Sequence, residues 1–438
     1  MPADSADLKQ FLEDGSTGES RERREQSARR ADVPELPPIV HSVLDSVPDS
    51  AHGEERLQFL ADQVVSLLEK DRKAMRKHIE LFANKALTLD ASDMDLGGPA
   101  CNGHVWYRVD GDKEPRPAMG TYETEELDLL FLNLLTEKQM DQLFEDYATD
   151  FAYQLPVEGR DERPRRFRAT MYFDYDHLGL NMRVIEDELF KLESLGFGSV
   201  IERGLMFRHV RDGLTLVTGV TGSGKSSTLD AIVDANNHDV PAHIVIIGQP
   251  VEYMHESENC IVRHREVGKD VPSFKDGVVQ ALRQDPDMIV IGEMRDPDTI
   301  SAALEVTDSG HKTFSTLHTS SAIETIDRVV AEYPPEEQER VRNRLADVLR
   351  CIISQKLCPK PDGGRILAKE ILWMTSSAKA AIQNGNTAEI YQMMWEGSSQ
   401  GMTTLEQDLY RLAREREITP TTAMDFANNK TRMKKLMR

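Results

Sequence analysis

The chain has 438 residues, 53 of them Lys or Arg and 75 Asp or Glu, for a formal net charge of −22. A hydrophobic share of 39% is enough for real cores, and a charged share of 29% is too high for a membrane-embedded protein. Such an acidic balance argues against a nucleic-acid-coating protein, which needs a basic face to displace counterions.

The length predicts two to three domains at about 100–200 residues each. Residues 1–55 read as a disordered polar tail. Arg21 to Arg30 is nearly all polar and is followed by Pro34, Pro37, Pro38 and Pro48, so the segment buries too little apolar surface to offset its ordering entropy. The N-terminus has neither a basic region nor an apolar one, so no secretory signal is expected.

Residues 56–186 read as a mixed α/β domain. Leu57, Leu60, Val64, Leu67 and Leu68 recur at helical spacing. Val105 to Asp112 reads as a strand ending in an Asp-Gly turn. Leu127 to Leu135 reads as a helix, and Phe167–Phe173 and Leu178–Ile185 alternate like paired strands.

Residues 187–375 alternate strand and helix patterns, which predicts a parallel sheet with covering helices. The clearest strands are Leu214–Thr218, His243–Ile247, Met288–Ile291 and Lys312–Thr316. Residues 376–438 read as a helical region with Leu405, Leu409 and Leu412 on one face. The strongly apolar stretches are strand-length, far short of the ~20 residues needed to span a bilayer. Cys101, Cys260, Cys351 and Cys358 lack C-x-x-C spacing and suit a reducing cytoplasm.

The central motif is Gly219-Val220-Thr221-Gly222-Ser223-Gly224-Lys225-Ser226, which fits G-x-x-x-x-G-K-[ST] at every fixed position. An apolar strand runs into it, and a helix-compatible run from Ser227 follows. The glycines let successive backbone N–H groups face one phosphate cluster, reinforced by the helix N-terminus. Lys225 is expected to reach the β- and γ-phosphates of ATP, and Ser226 to ligate Mg²⁺. A second element, Met288-Ile289-Val290-Ile291-Gly292-Glu293, is an apolar strand ending in an acid 68 residues after Lys225. That is the Walker B layout, and Glu293 there can polarise the attacking water or hold it through Mg²⁺.

These residues resemble the secretion-superfamily hexameric ATPases, and most closely the PilT-like type IV pilus retraction motors. Gly219–Thr228 resembles the family Walker A, and Pro250–His255 the second half of its Asp box. Leu282–Asp287 with Gly292–Asp296 resembles the Walker B region. Gly310-His311 and Ser315–Thr319 resemble the His box. Ile353-Ser354-Gln355-Lys356-Leu357 and Gly401–Leu405 also match, as do Ala91-Ser92-Asp93 and Arg166-Phe167-Arg168 in the N-terminal domain.

The resemblance implies an α/β protomer: a PAS-like domain, a RecA-like P-loop ATPase domain and a C-terminal helical tail, assembled as a homohexamer. It implies Glu293 and Glu252 as catalytic acids and His311 and His318 as contacts to the γ-phosphate side. Thr221, Ser223 and Ser227 join the nucleotide-binding loop, and Arg168 and Arg183 supply positive charge to nucleotide. Arg168 and Arg183 read equally well as surface strand residues, and Arg283 and Arg295 as structural ion-pair partners. The implied load is an inner-membrane pilus platform protein reached from the cytoplasmic face, with no nucleic acid involved.

Two departures qualify the transfer. The family has Glu-Asp-Pro where this chain has Gly248-Gln249-Pro250. The retraction signature resembling Ala-Ile-Arg-Asn-Leu-Ile-Arg-Glu corresponds to Ala378-Lys379-Ala380-Ala381-Ile382-Gln383-Asn384, followed by Gly385, and most of it beyond Ala-Ile is not reproduced. A non-hydrolysing accessory paralogue, and an ATPase of a type II or type IV secretion or conjugation system, are the alternatives.

Overall fold

The computed structural model describes residues 33–109, 111–156, 165–185 and 189–438. The chain divides into two compact units, Met1–Glu186 and Asp187–Arg438.

The first unit is built on a six-stranded antiparallel sheet in the order β3-β2-β1-β6-β5-β4. Its strands are β1 (Asp93–Gly97), β2 (Trp106–Val109), β3 (Asp112–Pro115), β4 (Ala148–Gln154), β5 (Arg166–Asp174) and β6 (His177–Ile185). Along β4 and β5 buried and accessible residues alternate, as in a sheet with one packed and one open face. The packed face carries Met94, Leu96, Phe167, Met171, Leu180 and Met182. The helices Gly53–Ser66 and Glu69–Thr88 cover it with Leu57, Leu60, Val64, Ile79 and Phe82.

The polar tail expected over residues 1–55 does not extend that far. Arg21 to Arg30 lies outside the described residues, but Pro38–Leu44 is a helix whose Val40 and Val43 are buried in the first unit's core. Three-residue spacing puts these two valines on one helical face. That face was hidden from a reading of composition by the prolines, of which Pro38 sits in the first turn, where a missing N–H costs nothing.

The second unit holds a seven-stranded sheet in the order β13-β12-β7-β11-β10-β8-β9. Its strands are β7 (Gly213–Thr218), β8 (His243–Gly248), β9 (Ile261–Glu266), β10 (Met288–Ile291), β11 (Lys312–Leu317), β12 (Leu349–Pro359) and β13 (Arg365–Trp373). All neighbouring pairs are parallel except β12–β13. Every residue of β7, β10 and β11 is buried, the pattern of strands covered on both faces.

The C-terminal helices Leu405–Arg414, Pro420–Phe426 and Lys430–Leu436 pack Leu405, Leu409, Leu412, Ala423 and Met433 around Cys358 and Ala368 of β12 and β13. Glu370 of β13 fastens this module to the sheet. Its carboxylate accepts the Ala322 N–H at 2.7 Å and a backbone N–H of Leu405, the first residues of two helices. Helix N-termini favour a negative partner, yet burial, with Glu406 adding repulsion, pushes Glu370 up to about 7. Among the described residues no helix is long and apolar enough to cross a membrane.

A raised carboxyl pKa has a definite sign. Above its ordinary 4.5 the unfolded chain ionises while the folded Glu370 stays protonated up to about 7, so folding loses stability across that interval. Urea unfolding at pH 5 and pH 8 is expected to shift the stability difference toward Glu370→Gln at the higher pH by on the order of 2 kcal/mol. A difference independent of pH would refute this assignment.

Candidate nucleotide site

The strand β7 ends at Thr218, and the chain turns through Gly219–Gly224 into the helix Lys225–Asp239. Gly222 and Gly224 have φ of 78° and 84°, a left-handed backbone that side chains disfavour. Gly219 is required for another reason. A Cβ there would stand 2.3 Å from Ser223 Oγ and 2.6 Å from the Gln355 carbonyl. Thr221 and Gly222 are exposed at the loop apex, Ser226 is half-buried in the first helical turn, and Ser227 is exposed beside it.

Lys225 folds back over the loop. Its ammonium donates to the carbonyls of Gly219 at 3.0 Å and Val220 at 3.2 Å. Burial lowers its pKa, while Glu293 and then Glu252 act to raise it. The two acids therefore face the lysine from the ends of different strands.

Glu293 follows β10, held between its neighbours. Gly292 N–H donates to the Ile247 carbonyl at 2.8 Å, and Thr316 Oγ1 donates to the Gly292 carbonyl at 2.6 Å. Arg295 Nε lies 2.8 Å from Glu293 Oε2, so Arg295 is an ion-pair partner of that acid. His318, just beyond β11, places Nε2 at 3.7 Å from the same oxygen. Burial first, then Lys225, lowers the His318 pKa from its ordinary 6.5.

Lys225, Glu293, Glu252 and His318 thus come together at the exit ends of parallel strands. His311 does not join them. It precedes Lys312, which pairs with Gly213 at the entry end of β7, and its Nδ1 lies 3.0 Å from Ser309 Oγ. A strand of this length separates its ends by roughly 20 Å, so within one subunit His311 stands at the opposite edge of the sheet from the glycine loop.

Arg168 and Arg183 belong to the first unit, where they face each other across β5 and β6. Arg183 Nε pairs with Asp93 at 2.8 Å, and Arg168 Nη2 lies 3.8 Å from Asp150. Their surface ion-pair reading is therefore satisfied in the protomer.

Residues without an assigned role in the motif reading complete the loop's support. Gln355 Nε2 donates to the Ser223 carbonyl at 2.8 Å, and its Oε1 accepts from Thr228 Oγ1 at 3.1 Å. Ser354 Oγ meets Thr218 Oγ1 at 2.7 Å. The only sequence signal for them was the Ile353–Leu357 match.

The donor set suits Mg²⁺ carried with ATP. Among the described residues no group of three or more His, Cys, Asp or Glu could hold a metal. Mg²⁺ typically takes only one or two protein ligands and fills the rest with phosphate oxygens and water. Ser226, in the first turn of the helix after the loop, and Glu293, at the tip of β10, carry oxygen donors of the kind Mg²⁺ takes.

The comparisons agree with this architecture. Residues 162–438 match the family model described as type II/IV secretion system protein. The chain is 39% identical over 320 residues to the type IV pilus retraction ATPase PilT of Pseudomonas aeruginosa, covering 73% of this chain and 90% of the relative. It is 34% identical over 327 residues to a twitching motility protein of Neisseria gonorrhoeae, covering 74% and 85%. A crystal structure of the pilus retraction motor PilT with bound ADP superposes with a TM-score of 0.71 at 34% identity, covering 82% of this chain and 99% of that one. The chain belongs to the type II/IV secretion system family and is one of its PilT-like ATPases.

Proposed function

We propose that this protein is an Mg²⁺-dependent, ATP-hydrolysing motor of the PilT type. It works as a homohexameric ring at the cytoplasmic face of the inner membrane. It drives type IV pilus retraction and twitching motility through an inner-membrane platform protein. The observation that carries this is the convergence of Lys225, Glu293 and Glu252 around a glycine loop of phosphate-binding geometry, in a chain so similar to a named retraction ATPase.

The protein's own groups suggest the chemistry. The β- and γ-phosphates of ATP take the Lys225 ammonium from the Gly219 and Val220 carbonyls. The loop's N–H groups and the helix N-terminus supply fixed positive ends. Glu293 accepts the proton of the attacking water, and Arg295 fixes the carboxylate. His318, neutral at physiological pH, faces the same carboxylate. Mg²⁺, when bound with ATP, would be held by Ser226 and Glu293 and would draw charge from the phosphate oxygens. The roles of Arg168 and Arg183 toward nucleotide rest on the resemblance alone. Tighter binding of ATP to one arrangement of the protomer than to another would convert turnover into motion.

A second reading is a non-hydrolysing accessory ring subunit, in which a paralogous ATPase supplies the turnover. Gly248-Gln249 favours it, because two family carboxylates are missing. A Cβ at Gly248 would stand 3.1 Å from the Pro250 carbonyl. The truncated C-terminal signature points the same way, since the helix Ser376–Gln383 stops before Gly385, whose φ is 72°.

Steady-state ATP hydrolysis with Mg²⁺ separates the two readings. The unmodified protein is expected to turn over, and Glu293→Gln and Lys225→Ala each to lose at least ~100-fold. Turnover no greater than that of Glu293→Gln would leave only the accessory reading. The pH profile should fall on the acid side, below pH 6.5, as His318 takes up a proton, and His318→Gln should lack that limb; an identical limb in the variant would refute the role. With a net charge of −22 on each chain, ring assembly should depend on salt and nucleotide. Light scattering that gives a monomer under every condition would exclude the ring.

A further inference from the structure

His318 opens the short loop between β11 and the helix Ala322–Ala331. Much of this loop is fixed locally. Thr319 Oγ1 meets Thr325 Oγ1 at 2.6 Å, and Ser320 N–H donates to Glu324 at 2.8 Å. Two further bonds come from far along the chain: Glu370 takes the Ala322 N–H, and Asn428 Nδ2 donates to the Ser320 carbonyl at 3.0 Å. Asn428 lies between the last two helices of the C-terminal module.

The orientation of the Asn428 amide is dictated by chemistry. Its Oδ1 takes the Lys356 ammonium at 2.7 Å, and Lys356 also donates to the Phe426 carbonyl at 2.9 Å. An ammonium has only donors, so the amide oxygen must face Lys356 and the NH₂ must face Ser320. Lys356 follows Gln355, the residue that clamps the glycine loop, and neighbours on a strand point to opposite faces. A single strand, β12, therefore holds the glycine loop with one side chain and Asn428 with the next. Asn428 is exposed and contributes little to a core.

We propose that Asn428 is a positioning residue for the His318 loop, and that its bond to Ser320 couples the C-terminal helices to the nucleotide site. The inference rests on the nucleotide reading given above. When phosphate engages the His318 side of the site, movement of the loop carries the Ser320 carbonyl and with it Asn428. Glu370 keeps the rest of the module on the sheet through the Leu405 N–H, and Lys356 fixes which way the Asn428 amide faces. Two arrangements of one loop, biased from both ends, are the physical requirement for such coupling.

The test uses the full chain and Asn428→Asp, which keeps an acceptor for Lys356 and removes the donor to Ser320. Loss of one positioning hydrogen bond should lower kcat about tenfold. KM for ATP should stay within about twofold and the melting temperature within about 2 °C. Hydrogen exchange in a Glu293→Gln background gives a readout that needs no turnover. ATP should slow exchange at residues 219–228 with or without Asn428→Asp, and change it at residues 420–436 only where Asn428 is kept. Unaltered kcat, a kcat loss that tracks melting temperature, or an equal response of residues 420–436 in both proteins would overturn the proposal while the nucleotide reading stands. No response at residues 219–228 in the parent would overturn both.

Discussion

The carbonyl of Gln355 lies 2.6 Å from where a Cβ of residue 219 would be, and its side-chain amide donates to the Ser223 carbonyl 2.8 Å away. The phosphate-binding loop is thus pressed against a neighbouring strand and held by it. Only glycine permits that approach, and a buried side chain with both a donor and an acceptor is needed to meet Ser223 and Thr228 together. The loop can then offer its N–H groups to phosphate without first being ordered, since β12 has already set its shape.

The parallel sheet supplies the rest. Because β7, β8, β10 and β11 run the same way, whatever follows each strand emerges at one edge. That edge collects the glycine loop, Glu252, Glu293 and His318 from segments scattered over a hundred residues. The same rule removes His311, which precedes its strand instead of following it. The charges balance locally: Lys225 is opposed by Glu293 and Glu252, and Glu293 is also paired with Arg295.

The C-terminal helices are integral to this unit. Their leucines close over β12 and β13, and Glu370, Lys356 and Asn428 reach from sheet to module and from module to loop. The open face of the antiparallel sheet in the first unit is different in kind. It bears an arginine row, Arg108, Arg183 and Arg168, with Asp93 between the first two. Each of these arginines has an acid beside it, Asp93 for Arg108 and Arg183 and Asp150 for Arg168, so the row is compensated on its own face.

Much of this was legible in the sequence because it depends on local pattern. A continuous apolar run announced β10, and the spacing of glycines and lysine announced the phosphate loop, since both are set by neighbours along the chain. Family likeness added Glu252 and His318, which no local rule would have singled out. Tertiary structure alone decided what depends on distant segments. It buried Val40 and Val43 in a stretch whose prolines suggested a tail, and it sent His311 to the far edge. It also set Gln355 against Gly219 and Asn428 against Ser320, partners 136 and 108 residues apart. Strand direction and packing select such pairs, and neither is written in the residues on either side of them.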